Sequence, residues 1–184
     1  MIYIALLRGI NVGGKNKIKM AELRNVLETA GFQKVRTYIQ SGNILFESDD
    51  VESELIARME EVIEHKFGLA IHVMMRSKVE WDRIARNCPF AEAEIARAKE
   101  TAVGECLYVS MLDSAPDPEK VMLLSESDFG TDRYQIVGRN VYLLFHHSIR
   151  NSKLALRVEK LGTYCTTRNW KTIDKLLALS SQSE

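Results

Sequence analysis

"VRTYIQSGNILFES", Val35 to Ser48, is the stretch whose reading decides the fold. Two runs of β-forming residues flank Ser41-Gly42-Asn43, three residues suited to a tight turn. In the first run Val35, Thr37 and Ile39 share one face, and Arg36, Tyr38 and Gln40 share the other. A strand that turns straight back on itself belongs to an antiparallel sheet.

Outward from this hairpin the periodicity changes. "KMAELRNVLETAGF" before it places Met20, Leu23, Val26 and Leu27 at helical spacing, with Gly31 as the stop. Ahead of that helix "IYIALL" is a continuous apolar run that reads as a central strand. After the hairpin, "VESELIARMEEVIEHKFG" carries Leu55, Met59, Val62 and Ile63 on one stripe, ends in Gly68 and leads into the strand "AIHVMMR". The first part therefore reads βαββαβ.

The order then returns. A helix "SKVEWDRIARN", closed by Pro89, and the alanine- and charge-rich "AEAEIARAKETAVGE" form a helical connector. Beyond it come the strand "CLYVSMLD", the helix "DPEKVMLLSES", the hairpin "RYQIVGRNVYLLFHH", the helix "SKLALRVEKLG", the extended "TYCTTRN" and a last helix "WKTIDKLLALS". The two series match at an offset of roughly 98 residues, the kind of internal period that marks a duplication of topology. Gly42-Asn43 in one hairpin answers Gly138 and Asn140 in the other. The expected fold class is α+β: two ferredoxin-like plaits, each an antiparallel sheet with helices on one face, at 1–76 and 105–184, joined by the connector 77–104.

In such a unit the first loop and the hairpin turn lie at the same end of the sheet. That loop, "GINVGGKNK", approaches a nucleotide-binding P-loop, with Gly9, Gly14 and Lys15 in register and Asn16 where Ser or Thr is needed. "LYVSMLD", ending in Asp113, supplies the apolar strand and acid that such a motif uses. Against it stand the missing hydroxyl, a helix that starts near Lys19, and the antiparallel hairpin. A phosphotransferase or hydrolase using Lys15 and Asp113 is thus the alternative. The leading expectation is a binding protein for a small anionic or phosphate-bearing ligand. Backbone N–H groups of the glycine loop would hold the anion, Arg8 and Lys15 would supply charge, and Asn11 and Asn43 neutral hydrogen bonds. The plain alternative makes the glycines a turn and the lysines solvated charges.

Charge supports a local rather than a global anion site. The 184 residues carry zero net formal charge, which argues against a whole-surface trap for nucleic acid. Yet Arg8 to Arg36 holds seven bases against Glu22 and Glu28, and His146 to Lys175 seven more against Glu159 and Asp174. The stretch Glu47 to Glu64 compensates with eight acids and only Arg58. Such polarity also suits a protein-interaction module, a third reading.

Other constellations are weaker. Tyr3, Tyr38, Tyr108 and Tyr142 fall on strands, as tyrosines do on RNA-reading sheets, but with Leu7, Leu45, Leu112 and Leu144 beside them covered faces are expected. Cys88, Cys106 and Cys165 form no C-x-x-C pair, and His146-His147 has no ligand spacing, so no metal, disulfide framework or cofactor is expected. Reduced cysteines and no long apolar run suggest a cytoplasmic protein without a membrane span. In "TTRNW", Thr166 or Thr167 is the expected cap of the last helix, Arg168 a group that reaches an anion or carboxylate, and Trp170 a packing residue.

Three stretches, "LLRGINVGGKNKIKMAELR", "TYIQSGNILF" and "EKLGTYCTTRNWKTIDKLL", make the chain resemble the bacterial family catalogued as domain of unknown function 1697. The resemblance implies a two-part α/β-plait architecture and no assigned activity. It draws attention to Arg8, Gly9, Asn11, Gly13, Gly14, Ser41, Gly42 and Asn43, which occupy the family-like motif positions. The connector stretch "AEAEIARAKETAVGE" is not among the stretches that carry the resemblance.

Overall fold

The computed structural model describes residues 1–182. The chain divides into two compact units, one of Met1–Arg83 with the C-terminal stretch from Lys175, the other of Ile84–Asp174.

In the first unit, β1 (Ile2–Leu7) pairs antiparallel with both β3 (Asn43–Glu47) and β4 (Val73–Ser77), and β2 (Gln33–Tyr38) pairs with β3. The sheet order is β2-β3-β1-β4. A strand paired on both edges and covered on both faces must be apolar throughout, which is why "IYIALL" lacks alternation. On one face the cross-strand pairs Tyr3 with Phe46 and Ala5 with Ile44 pack into a core with Leu23 and Leu27 of α1 (Met20–Thr29) and Leu55, Met59 and Ile63 of α2 (Glu52–Phe67). Gly68, in the left-handed conformation, ends α2 by donating its N–H to Glu64 O. Side chains at zero exposure in such a core, Leu23 for one, cost about 2–5 kcal/mol to truncate to Ala.

The opposite face carries a register row through all four strands, Arg36, Leu45, Ile4 and Arg76, the last three buried. Arg76 donates Nη1 to Met75 O at 2.8 Å.

The second unit repeats the order. After α3 (Lys78–Arg86) and α4 (Glu92–Thr101) come β5 (Leu107–Leu112), α5 (Pro118–Ser125), β6 (Arg133–Val137), β7 (Asn140–Leu144), α6 (Lys153–Val158) and β8 (Cys165–Asn169), then α7 (Trp170–Ser180). Its sheet runs β6-β7-β5-β8, again antiparallel. Asp117 caps α5 by accepting Glu119 N–H, with Pro118 as the first helical residue. Correspondence reaches individual residues: the row Gln135, Tyr142, Val109 and Arg168 matches the row of the first sheet, and Arg168, like Arg76, donates Nη1 to the carbonyl of the residue before it. The architecture is thus α+β, with two four-stranded antiparallel sheets.

Three local expectations change. Ile39 does not continue the face of Val35 and Thr37; β2 ends at Tyr38, and Ile39 turns out at φ 50° with half its surface exposed. The tyrosines form no shared face, since Tyr3 and Tyr108 pack on the helix side of their sheets while Tyr142 lies on the other side of its own. Tyr3 and Tyr142 are buried, donating their hydroxyls to Asp50 O and Ile84 O. Finally, Thr166 and Thr167 do not cap α7. They belong to β8, where Thr167 shares a 2.6 Å hydrogen bond with Ser110, and the cap is Asn169, whose Oδ1 accepts Thr172 N–H.

Candidate functional site

The glycine loop and the hairpin turn meet at one end of the first sheet. Leu7 N–H donates to Gly42 O at 2.8 Å as β1 leaves the sheet, and Arg8 N–H to His72 O. Gly42 is required twice over. Its φ is 77°, and a Cβ there would stand 2.7 Å from both Leu7 Cβ and Ile10 Cδ1. The turn is braced by Asn43, fully buried, whose Nδ2 donates to Tyr38 O and Ser41 Oγ.

Asn11 joins the three parts of this end. Its Nδ2 donates to Gln40 O in the turn and to Ile18 O ahead of α1, and its Oδ1 accepts Ile18 N–H. Asn16 Nδ2 reaches back to Gly9 O. Between them Val12 to Lys15 form a tight turn, closed by Lys15 N–H on Val12 O at 3.0 Å, with Gly13 and Gly14 at φ 58° and 78°. Positive φ at both central positions is what a type I′ turn needs, so these glycines serve a turn. The amide hydrogens of Asn11 and Asn43 are committed inside the chain, whatever else binds here.

Lys15 sits on this turn, ahead of the helix that begins at Met20, whereas a P-loop lysine belongs to the first helical turn. Asp113, in the second unit, accepts Tyr164 N–H through Oδ1 and so holds a backbone turn.

Beside the loop lies an open depression of about 740 Å³ at the start of α1. Of the residues singled out in the sequence, Asn11 and Gly14 line it; Lys17, Lys19 and Gln40 join them, as does Glu22, 3.8 Å from Lys66. Lys19, the residue that precedes α1, offers it no side-chain cap. In the sequence Lys17 and Lys19 figured as part of the basic excess from Arg8 to Arg36 and as solvated charges of the loop, not as site residues. Arg8, Gly9, Gly13, Lys15, Ser41, Gly42 and Asn43 build the surrounding turns and are not in its wall.

Arg168 spends one guanidinium nitrogen within its own strand. It is partly buried, donates Nη1 to Thr166 Oγ1 and Thr167 O, and burial pushes its pKa down to about 10, which leaves it charged at neutral pH. Among the described residues no cluster of three or more His, Cys, Asp or Glu is placed to hold a metal, and no helix is long and apolar enough to cross a membrane.

Two four-stranded antiparallel sheets, each bearing its helices, with a glycine-rich loop latched to a hairpin turn, define an α+β protein built on one repeated pattern. The chain belongs to the family of proteins of unknown function DUF1697, whose model matches residues 1–142. It is similar in structure to the conserved bacterial protein SP0830 from Streptococcus pneumoniae, at 27% identity and a TM-score of 0.75, over 97% of each chain. No curated protein matches it in sequence.

Proposed function

We propose that this is a cytoplasmic, non-enzymatic binding protein whose halves are ferredoxin-like plaits and whose first half takes a small anionic or phosphate-bearing ligand. The observation that carries the reading is the depression at the start of α1, which combines Lys17 and Lys19 with the opening turn of a ten-residue helix. The first N–H groups of a helix have no partner within it and, with the helix dipole, favour an anion. The latch at Asn11 keeps the loop in one geometry, so little ordering is left for the ligand to impose. With Lys15 on a turn, the same geometry gives less support to a phosphoryl-transfer enzyme.

Thermal unfolding with millimolar inorganic phosphate and nucleotides, each with and without magnesium, tests the proposal. A ligand at ~100 times its Kd adds about 2.7 kcal/mol, a shift of several degrees in a chain of this length. Replacing Lys17 and Lys19 together by Ala is expected to abolish the shift while Lys15→Ala leaves it. No shift with any anion overturns the reading, and loss of the shift in Lys15→Ala alone revives the P-loop alternative.

A further inference from the structure

The second unit contains a cavity that the anion site does not use. It measures about 770 Å³, within the range of small-molecule sites, and lies where α4 and the first turn of α7 flank the start of β5. Its wall is largely apolar, with Ile95 and Leu107 in it, and the Trp170 ring forms part of it, only partly covered. That ring is held in place. It packs in the cluster of Ala98, Cys106, Leu107 and Leu144, and its centroid is 6.5 Å from that of Tyr142, whose hydroxyl is fixed on Ile84 O.

The charges around this wall do not cancel. Lys171 is taken up by Glu105 at 2.5 Å. Glu92, Lys99 and Asp174 have no hydrogen bond or ion pair among the described residues, which leaves two carboxylates against one ammonium. Partial desolvation raises the pKa of Asp174, which stands exposed at the rim of this wall. The spacing of α4 has the same sense: Glu92, Ile95, Ala96 and Lys99 fall on one helical stripe, all in the cavity wall. An aromatic face next to unpaired carboxylates attracts one kind of ligand group strongly, a cation carried on an apolar body.

From this geometry we infer that the second unit binds a small organic cation, an alkyl- or arylammonium whose apolar part lies on Trp170 and whose charge faces Asp174 and Glu92. The inference stands apart from the anion site of the first unit, and neither depends on the other.

The chain has two tryptophans, and Trp81 is fully buried, so the indole NH resonance and fluorescence of Trp170 report on this cavity. The full-length protein is titrated with benzyltrimethylammonium and, as the charge-reversed probe, with phenylacetate. The ammonium probe is expected to shift the Trp170 indole resonance in a saturable way and phenylacetate to leave it unmoved at equal concentration. Asp174→Asn and Glu92→Gln are each expected to weaken ammonium binding by about three- to tenfold, and Lys99→Met to leave it equal or tighter. Both carboxylates are exposed, so these variants fold, and an unchanged circular dichroism spectrum checks it. Tighter binding of phenylacetate, no saturable shift with the ammonium probe, or full affinity in the Asp174→Asn, Glu92→Gln double variant overturns the inference.

Discussion

Replacing Asn11 separates the two physical roles that one residue fills in the first unit. Its side chain makes three hydrogen bonds, to Ile18 N–H, Ile18 O and Gln40 O, and its backbone stands at φ 54°. Each bond contributes about 1 kcal/mol net, and a somewhat larger penalty follows where a partly buried partner such as Ile18 N–H is left without one. Asn tolerates the left-handed conformation, whereas Ala pays about 1–2 kcal/mol there. Asn11→Ala is therefore expected to destabilise the unit by about 4 kcal/mol. Asn11→Gly, which loses the bonds and keeps the backbone freedom, is expected to lose about 3 kcal/mol. For a chain of this length 1 kcal/mol moves Tm by about 2–4 °C, so the Ala variant should melt roughly 8–16 °C lower and the Gly variant a few degrees less. Urea unfolding followed by circular dichroism measures both. A loss under 1 kcal/mol in Asn11→Gly would refute the latch, and an Ala variant as stable as the Gly variant would refute the conformational cost.

Other outcomes follow from the same structure. Gly42→Ala meets both a positive φ and a contact of 2.7 Å with Leu7 and Ile10, so it is expected to destabilise by about 2–4 kcal/mol, seen as a fall in the urea midpoint; a neutral Gly42→Ala would show that the turn can move. Tyr142→Phe strands the Ile84 carbonyl and is expected to lose about 1–2 kcal/mol, measured the same way. Burial raises the Tyr142 hydroxyl from 10.0 to about 12. A folded-state pKa above the unfolded one means that its contribution is complete below pH 10 and disappears as pH rises toward about 12. An absorbance titration should therefore show a tyrosine that ionises only toward pH 12 and is missing in Tyr142→Phe, and that variant should flatten the same part of the stability profile.

Much of the fold was legible from local pattern. The hairpin signal at Ser41-Gly42-Asn43 implied an antiparallel sheet because a tight turn permits no other pairing, and the second series of elements was visible because each unit alternates the same two periods. The candidate site was legible only in part. "GINVGGKNK" drew attention to the right end of the sheet, yet whether its polar groups face outward depends on partners distant in the chain. Asn11 is spent on Gln40, twenty-nine residues away, and Asn43 on its own turn.

Strand and helix identity, the antiparallel pairing and the repeated order were thus determined by the sequence alone, because each depends on side-chain period and turn chemistry within a few residues. Tertiary structure alone decided that Ile39 leaves its strand, that Asn169 rather than a threonine caps α7, that Lys17 and Lys19 rather than Lys15 line the depression, and that Trp170 edges a cavity with two unpaired carboxylates. Each of these depends on which groups arrive from elsewhere to satisfy a donor or cover a ring, and that is set by packing in three dimensions.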